Sequence, residues 1–259
     1  MTGRLEGKVA IITGAGIGMG ESHARRFAEE GAAVVLVDID LPSAEKVTAE
    51  IKAKGQRALA VKADISNKEA VQQMVKKALD AFGKIDILVN NAAIFKGAPA
   101  VELSEADWDA NLNINLKGTF LCAQAVGRHM IERKQGKIVN IASVSGHRGG
   151  PVTGAAYCAS KGGVLTLTQQ LAVEWAPYNI NVNSVSPGTT TTPMLMNSFK
   201  SFGMSIDDHI RWIPLSKANR PEDMTNAVLF LASAESDTIT GQDILVDGGI
   251  TALYWPKGY

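Results

Sequence analysis

Seven short apolar runs, most of them rich in β-branched residues, recur along the chain, and stretches with the 3.6-residue period of amphipathic helices separate them. Val9 to Ile12, Ala33 to Val37, Ala58 to Val61, Ile85 to Val89, Ile138 to Ile141, Ile180 to Val185 and Ile244 to Val246 read as strands. Gly18 to Glu30, Pro42 to Lys54, Val71 to Phe82, most of Ser104 to Arg133, Ala155 to Trp175 and Pro221 to Ala234 read as helices. The runs are apolar throughout rather than alternating, so both faces of their sheet must be covered. Helical crossovers between parallel strands cover both faces and are right-handed. The pattern predicts one α/β domain over residues 1–259: a seven-stranded, doubly wound parallel sheet with helices on both faces. The single irregular stretch, Thr189 to Ser216, follows a strand end and reads as a substrate loop or lid.

Charge and cysteine content narrow the function classes. The 26 Lys and Arg residues balance 26 Asp and Glu. That balance argues against nucleic acid or an anionic membrane as the main partner, because both demand a basic excess. Two cysteines, Cys122 and Cys158, are too few for a disulfide scaffold. No apolar run reaches a membrane span, and Met1 to Lys8 lacks the core of a signal peptide. A cytoplasmic protein with a small-molecule substrate is expected.

The turn after the first strand is Thr13-Gly14-Ala15-Gly16-Ile17-Gly18-Met19-Gly20. It misses the G-x-G-x-x-G spacing at Met19 but fits G-x-x-x-G-x-G through Gly14, Gly18 and Gly20. Glycines allow a tight turn and a close approach of backbone to a pyrophosphate, beside the N–H groups of a helix N-terminus. Gly14, Ile17, Gly18 and Met19 are therefore candidate cofactor contacts, in what would be a Rossmann-type dinucleotide site. The alternative is a glycine-rich turn without a ligand. Asp38 closes the second strand about twenty residues after Gly18, where a carboxylate accepts from ribose hydroxyls and repels a 2′-phosphate. No Lys or Arg stands at Ala15, Gly16, Ile17 or Ile39. The expected cofactor is NAD rather than NADP. Asp38 also suits a helix cap, a place Asp40 fills equally well.

Tyr157 and Lys161 lie four apart on a predicted helix of small residues and share one face. An ammonium about 4 Å from a phenol contributes roughly 4 kcal/mol at an effective dielectric near 20, about three pK units. The expectation is a Tyr brought toward the working range, able to exchange a proton with an alcohol or ketone. Ser143 follows a strand at the carboxyl edge of the sheet and suits the substrate oxygen; a turn-capping role and a competing Ser145 remain open. Asn115 interrupts a helical stretch, where it would bend the helix or bind water.

Thr13-Gly14 with Gly18 and Gly20, Asp64, Asn90-Asn91-Ala92, Asn115, Ser143, Tyr157 with Lys161, and Pro187-Gly188 occur together in one order. On these residues the chain resembles the short-chain dehydrogenase/reductase family from about Leu5 to Gly249. The resemblance implies a catalytic tetrad of Asn115, Ser143, Tyr157 and Lys161. Tyr157 is then the acid/base, Lys161 binds the nicotinamide ribose and lowers the Tyr pKa, Ser143 orients the substrate and Asn115 anchors a relay water. It also implies Asp64 and Ile65 at the adenine, Asn91 at the adjacent ribose, Pro187, Gly188 and Thr190 near the nicotinamide, and a homotetramer. Met19 and Ala93 replace the Ile and Gly common in the family.

The implied reaction is hydride transfer between NAD and the CH–OH/C=O group of a small alcohol, sugar or hydroxy acid. His147, Arg148, His209 and Arg211 suggest an anionic handle, a carboxylate or sulfonate; solvent-facing loop charge is the alternative. Phe95, Met194, Met196 and Trp212 are candidate apolar walls. No His or Cys spacing suits a metal, and no nucleophile elbow surrounds Ser143. The aromatic tail over residues 251–259, with Tyr254, Trp255 and Tyr259, suits packing on a neighbouring subunit. Two rival readings are a non-catalytic NAD-binding sensor and an isomerase or lyase that uses NAD transiently.

Overall fold

Seven strands form one all-parallel sheet: β1 (Val9–Thr13), β2 (Ala33–Asp38), β3 (Ala58–Lys62), β4 (Ile87–Asn90), β5 (Gly136–Ile141), β6 (Ile180–Pro187) and β7 (Asp243–Val246). Their order is β3-β2-β1-β4-β5-β6-β7, in a computed structural model that describes residues 3–150 and 154–253. The helices are α1 (Gly18–Glu29), α2 (Leu41–Ala53), α3 (Lys68–Phe82), α4 (Glu105–Asn111), α5 (Thr119–Arg133), α6 (Ala155–Trp175), α7 (Pro193–Ser201), α8 (Ile206–Ile210) and α9 (Pro221–Ala232). Successive strand residues point to opposite faces. Ala10, Ile12, Val34 and Leu36 therefore join Phe27 of α1 and Met224 and Leu229 of α9. Ile11, Val35 and Val37 join Met74 of α3 and Val126 of α5 on the other side. This two-sided burial is why the strands carry no polar alternation, and a fully buried side chain such as Phe27 contributes roughly 1.5–3 kcal/mol.

Three elements differ from the sequence expectation. β4 starts at Ile87, not Ile85, and the Asp86 side chain just before it is buried. Its carboxylate accepts from the Val9 amide at 2.9 Å and pairs with Arg133 at 2.9 Å and Lys84 at 3.0 Å. Burial works to raise the Asp86 pKa, but these partners outweigh it and hold the carboxyl below its ordinary range. The stretch from Ser104 to Arg133 is two α-helices joined by a π-helical segment, Leu112–Gly118, that carries Asn115. The region expected to be irregular contains α7 and α8. Each is started by a side-chain cap, Thr192 accepting from the Leu195 amide and Ser205 from the Asp207 amide. No helix of the described residues is long and apolar enough to cross a membrane.

The contact of α1 with α9 buries His23 completely. The hydroxyl proton of Thr225 goes to the Pro221 carbonyl, so His23 Nδ1–H donates to Thr225 Oγ1 at 2.8 Å and Nε2 is left without a partner. Burial pushes the His23 pKa down to about 3. The unfolded chain takes up this proton near pH 6.5 and the native state does not, so stability is lost as pH falls from about 6.5 toward 3. The slope approaches about 1.4 kcal/mol per pH unit from this group. Urea titrations at pH 7.0, 5.5 and 4.5 should show that extra slope in the native chain and its loss in His23→Gln; parallel curves would refute the assignment.

Candidate active site

The strand order reverses between β1 and β4, and there, at the carboxyl ends of the strands, a cavity of about 850 Å³ opens. Gly14, Ile17, Gly18, Met19, Asp38, Asp64, Ile65 and Asn91 line one half. Gly14 has φ +64°, and a Cβ on Gly20 would stand 2.0 Å from the Gly14 carbonyl oxygen. The turn therefore folds onto α1 with backbone in contact with backbone. Ile17 caps α1 without any side-chain hydrogen bond, leaving the first amides of the helix free beside the cavity. Asn91 Nδ2 donates to the Thr13 and Gly14 carbonyls while its buried Oδ1 has no partner. Asp38 Oδ2 accepts from the Gly16 amide at 2.8 Å and Oδ1 from the Asp40 amide at 3.0 Å, so this carboxylate braces the turn from the cavity wall. Asp40 takes the cap position of α2 and accepts from the Ser43 hydroxyl. Exposed Ile39 projects beside it. A concave glycine turn, uncapped amides, an acidic rim and exposed aliphatic side chains suit a dinucleotide: pyrophosphate, ribose and adenine in turn.

The other half holds Ser143, Tyr157, Lys161, Pro187, Gly188 and Thr190. Ser143 sits where β5 ends; its Oγ accepts from the Ser145 amide at 3.1 Å, capping the turn Val144–Gly146, and it also hydrogen-bonds the Tyr157 phenol. The capping and substrate-facing readings of Ser143 thus coexist, and Ser145 lines the same cavity. Lys161 is buried, donates to the Ile141 carbonyl at 2.7 Å and lies 5.8 Å from the Tyr157 ring centroid. Here the electrostatic expectation needs correction. Burial pushes the Tyr157 pKa up to about 12, against the Ser143 hydrogen bond, and pushes Lys161 down to about 8. The Lys ammonium is turned to a strand carbonyl rather than the phenol, so desolvation of each group dominates. Asn115 lies behind the lining. Its Oδ1 accepts from the Ile94 amide at 2.8 Å, and its Nδ2 donates to the Ile94 carbonyl at 3.0 Å and Ser160 Oγ at 3.1 Å.

Three of the four basic residues, Arg148, His209 and Arg211, line the cavity. His147 is not in the lining; Nε2 lies 2.9 Å from Asp243 Oδ2 and 3.3 Å from Ser186 Oγ, which ties its loop to β6 and β7. Arg211 reaches the cavity but pairs with Asp208 at 2.7 Å, and Asp208 lines the same wall. His209 packs edge-on to Phe199, and burial lowers its pKa, which keeps it neutral near pH 7. Arg148 lines the cavity and makes a 3.4 Å contact to the Leu253 carbonyl, with no carboxylate partner among the described residues. Of the apolar candidates, Phe95, Met194 and Trp212 face the cavity and Met196 does not. Tyr254, Trp255 and Tyr259 lie outside the described residues.

A family model described as Enoyl-(Acyl carrier protein) reductase matches residues 14–251. Over 248 residues the chain is 47% identical to the (2S)-[(R)-hydroxy(phenyl)methyl]succinyl-CoA dehydrogenase subunit BbsD of Thauera aromatica, covering 95% of this chain and 97% of that one. It is 41% identical to an NAD-dependent glycerol dehydrogenase of Listeria innocua over 94% of each chain. Among solved structures, a short-chain type dehydrogenase/reductase from Mycobacterium marinum superposes with a TM-score of 0.90 at 36% identity, over 96% of this chain and 97% of that one. The chain belongs to the short-chain dehydrogenase/reductase family. Its family consists of oxidoreductases that bind a nicotinamide cofactor.

Within this dehydrogenase/reductase, one group escaped the reading of the sequence. Asn111, buried one helical turn before Asn115, donates from Nδ2 to the Lys96 carbonyl at 2.9 Å and the Asp107 carbonyl at 2.8 Å. Both asparagines therefore hold the chain that follows β4. The available signal was the N-x-x-x-N spacing on a helix, which puts two amides on one face. No cluster of three or more His, Cys, Asp or Glu side chains among the described residues is placed to hold a metal ion.

Proposed function

We propose that the chain is an NAD-dependent dehydrogenase that interconverts the CH–OH and C=O groups of a small molecule. The observation that carries this reading is the convergence of Ser143, Tyr157 and Lys161 on one wall of the cavity whose other half is the glycine turn rimmed by Asp38. A bound oxidised nicotinamide would supply the hydride acceptor for the carbinol carbon. Tyr157 Oη takes the O–H proton in that direction and returns it in the other; Ser143 Oγ holds the same oxygen. Lys161, anchored on the Ile141 carbonyl 5.8 Å from the Tyr157 ring centroid, holds a ribose hydroxyl. Asn115 positions the loop after β4 and is the residue that would anchor a relay water. Gly14, Ile17, Gly18 and Met19 cradle the pyrophosphate, Asp38 and Asn91 take ribose hydroxyls, Asp64 and Ile65 flank the adenine, and Pro187, Gly188 and Thr190 flank the nicotinamide. The segment 189–216 covers the substrate, and Arg148 is the one member of the basic set suited to an anionic substituent. The enzyme is read as a cytoplasmic homotetramer; exposed Val173 and Leu245 support burial in an assembly.

The test is NADH formation from NAD at mildly alkaline pH over paired neutral and anionic alcohols and sugars. Alkaline pH favours oxidation because a raised Tyr157 pKa leaves little phenolate at neutrality. Silence across the panel with NADH shown to bind would favour a cofactor sensor instead. The cofactor choice has its own test. Asp38→Ala should shift the kcat/KM ratio of NAD to NADP about tenfold or more toward NADP, because the carboxylate that repels a 2′-phosphate is gone. An unchanged ratio would mean that Asp38 only braces the Gly16 amide.

A further inference from the structure

Phe95 is held in place to an unusual degree for a loop residue. The residue before it, Ile94, has both its amide and its carbonyl hydrogen-bonded by Asn115. The residue after it, Lys96, has its carbonyl and amide bonded by Asn111, at 2.9 and 3.4 Å. With the backbone clamped on both sides, the ring stands edge-on to Tyr157, centroids 5.3 Å apart at 74°, and also meets Phe202 at 6.2 Å. The chain then turns back under the ring at Gly97, where a Cβ would fall 2.5 Å from Phe95 Cζ. From the α7–α8 region Met194, Phe199, Met204 and Trp212 line the same cavity, with Ser198, His209 and the Asp208–Arg211 ion pair as polar members. Aromatic edges and thioethers offer a flat apolar group extensive contact. They offer the extra hydroxyls of a sugar or polyol no partners, and each unpaired hydroxyl buried there carries a desolvation cost.

We propose that this site selects a secondary carbinol or ketone carried on, or next to, a flat apolar ring, and that Phe95 is the specificity-determining residue. The inference rests on the dehydrogenase reading above and names its substrate class. The clamp by Asn111 and Asn115 fixes the ring wall before substrate arrives, which spares the ordering cost of binding. Tyr157 then receives the proton from a carbinol oxygen whose ring substituent lies against Phe95.

Two measurements separate the outcomes. In the first, kcat/KM with NAD is compared for 1-phenylethanol, cyclohexanol, 2-butanol and glycerol. The ring alcohols should exceed glycerol by about a hundredfold or more. Phe95→Ala should lower the ratio of 1-phenylethanol to 2-butanol about tenfold, and Phe95→Tyr should keep it. Gly97→Ala, which displaces the ring tip without a forbidden backbone angle, should lower the same ratio. In the second, acetophenone and dihydroxyacetone are titrated calorimetrically into Tyr157→Phe protein, with and without NADH. Acetophenone should bind at least tenfold more tightly, and the difference should vanish with Phe95→Ala added. Preference for glycerol, or ring selectivity indifferent to Phe95, overturns the proposal while leaving the dehydrogenase in place. Phe95-dependent acetophenone binding with no NADH from any alcohol upholds ring selection and overturns the dehydrogenase reading.

Discussion

Tyr157→Phe should lower kcat by a hundred- to ten-thousandfold, the usual range for losing a positioned acid/base, while NADH binds almost as before. The substitution removes one oxygen and keeps the ring that meets Phe95 at 5.3 Å. Ser143 retains its bond to the Ser145 amide, and Lys161 its bond to Ile141, so the wall stands without its proton carrier. Among the described residues, the phenol is the only group at this wall that combines a titratable proton with contact to Ser143. A serine hydroxyl cannot replace it, and Lys161 is turned to a main-chain carbonyl. Steady-state kinetics with an accepted alcohol, together with a fluorescence titration of NADH, read the two quantities separately. Unchanged turnover would refute the assignment of the acid/base; lost NADH binding would place Tyr157 in the cofactor site alone.

The second large effect falls on the cradle. Gly20→Ala should weaken NADH binding about a hundredfold, or about 2.7 kcal/mol. The new Cβ would meet the Gly14 carbonyl oxygen at 2.0 Å and Asn91 Nδ2 at 2.6 Å. No flexible side-chain tip is available to move aside, since the nearest atom is backbone. The turn must shift away from α1, and with it the Gly14 carbonyl that Asn91 holds and the Gly16 amide that Asp38 holds. Overpacking of this kind costs typically 1–3 kcal/mol of stability, so the variant should still fold at room temperature. Far-UV circular dichroism establishes the fold, and NADH fluorescence gives the affinity. A folded variant with unchanged affinity would mean that the cofactor does not rest on this turn.

Much of this site is legible in the amino-acid order because its parts are short-range. Gly14, Gly18 and Gly20 belong to one turn, Tyr157 and Lys161 to one helix face, and Asp38 to a strand end. Each follows from chain geometry within a few residues. The surroundings of His147 and Arg211 were not legible, for the opposite reason. Proximity to Ser143 along the chain suggests His147 for the substrate, but Asp243, 96 residues later, holds its ring, and it is not among the cavity-lining residues. The charge on Arg211 is met by Asp208, a local partner whose orientation depends on α8, a short helix with too little periodicity to be foreseen.

The alternation of apolar strands with amphipathic helices determined by itself the parallel sheet and the edge at which a ligand sits. Side-chain period and strand polarity are local properties, and only a two-sided sheet satisfies them. The tertiary structure alone decided the proton affinities of Tyr157 and Lys161, the pairing of the basic groups, and the clamp that Asn111 and Asn115 place on either side of Phe95. Those outcomes depend on which distant groups exclude water from one another and which carbonyl lies within reach of each donor. Spacing along a chain carries neither burial nor direction.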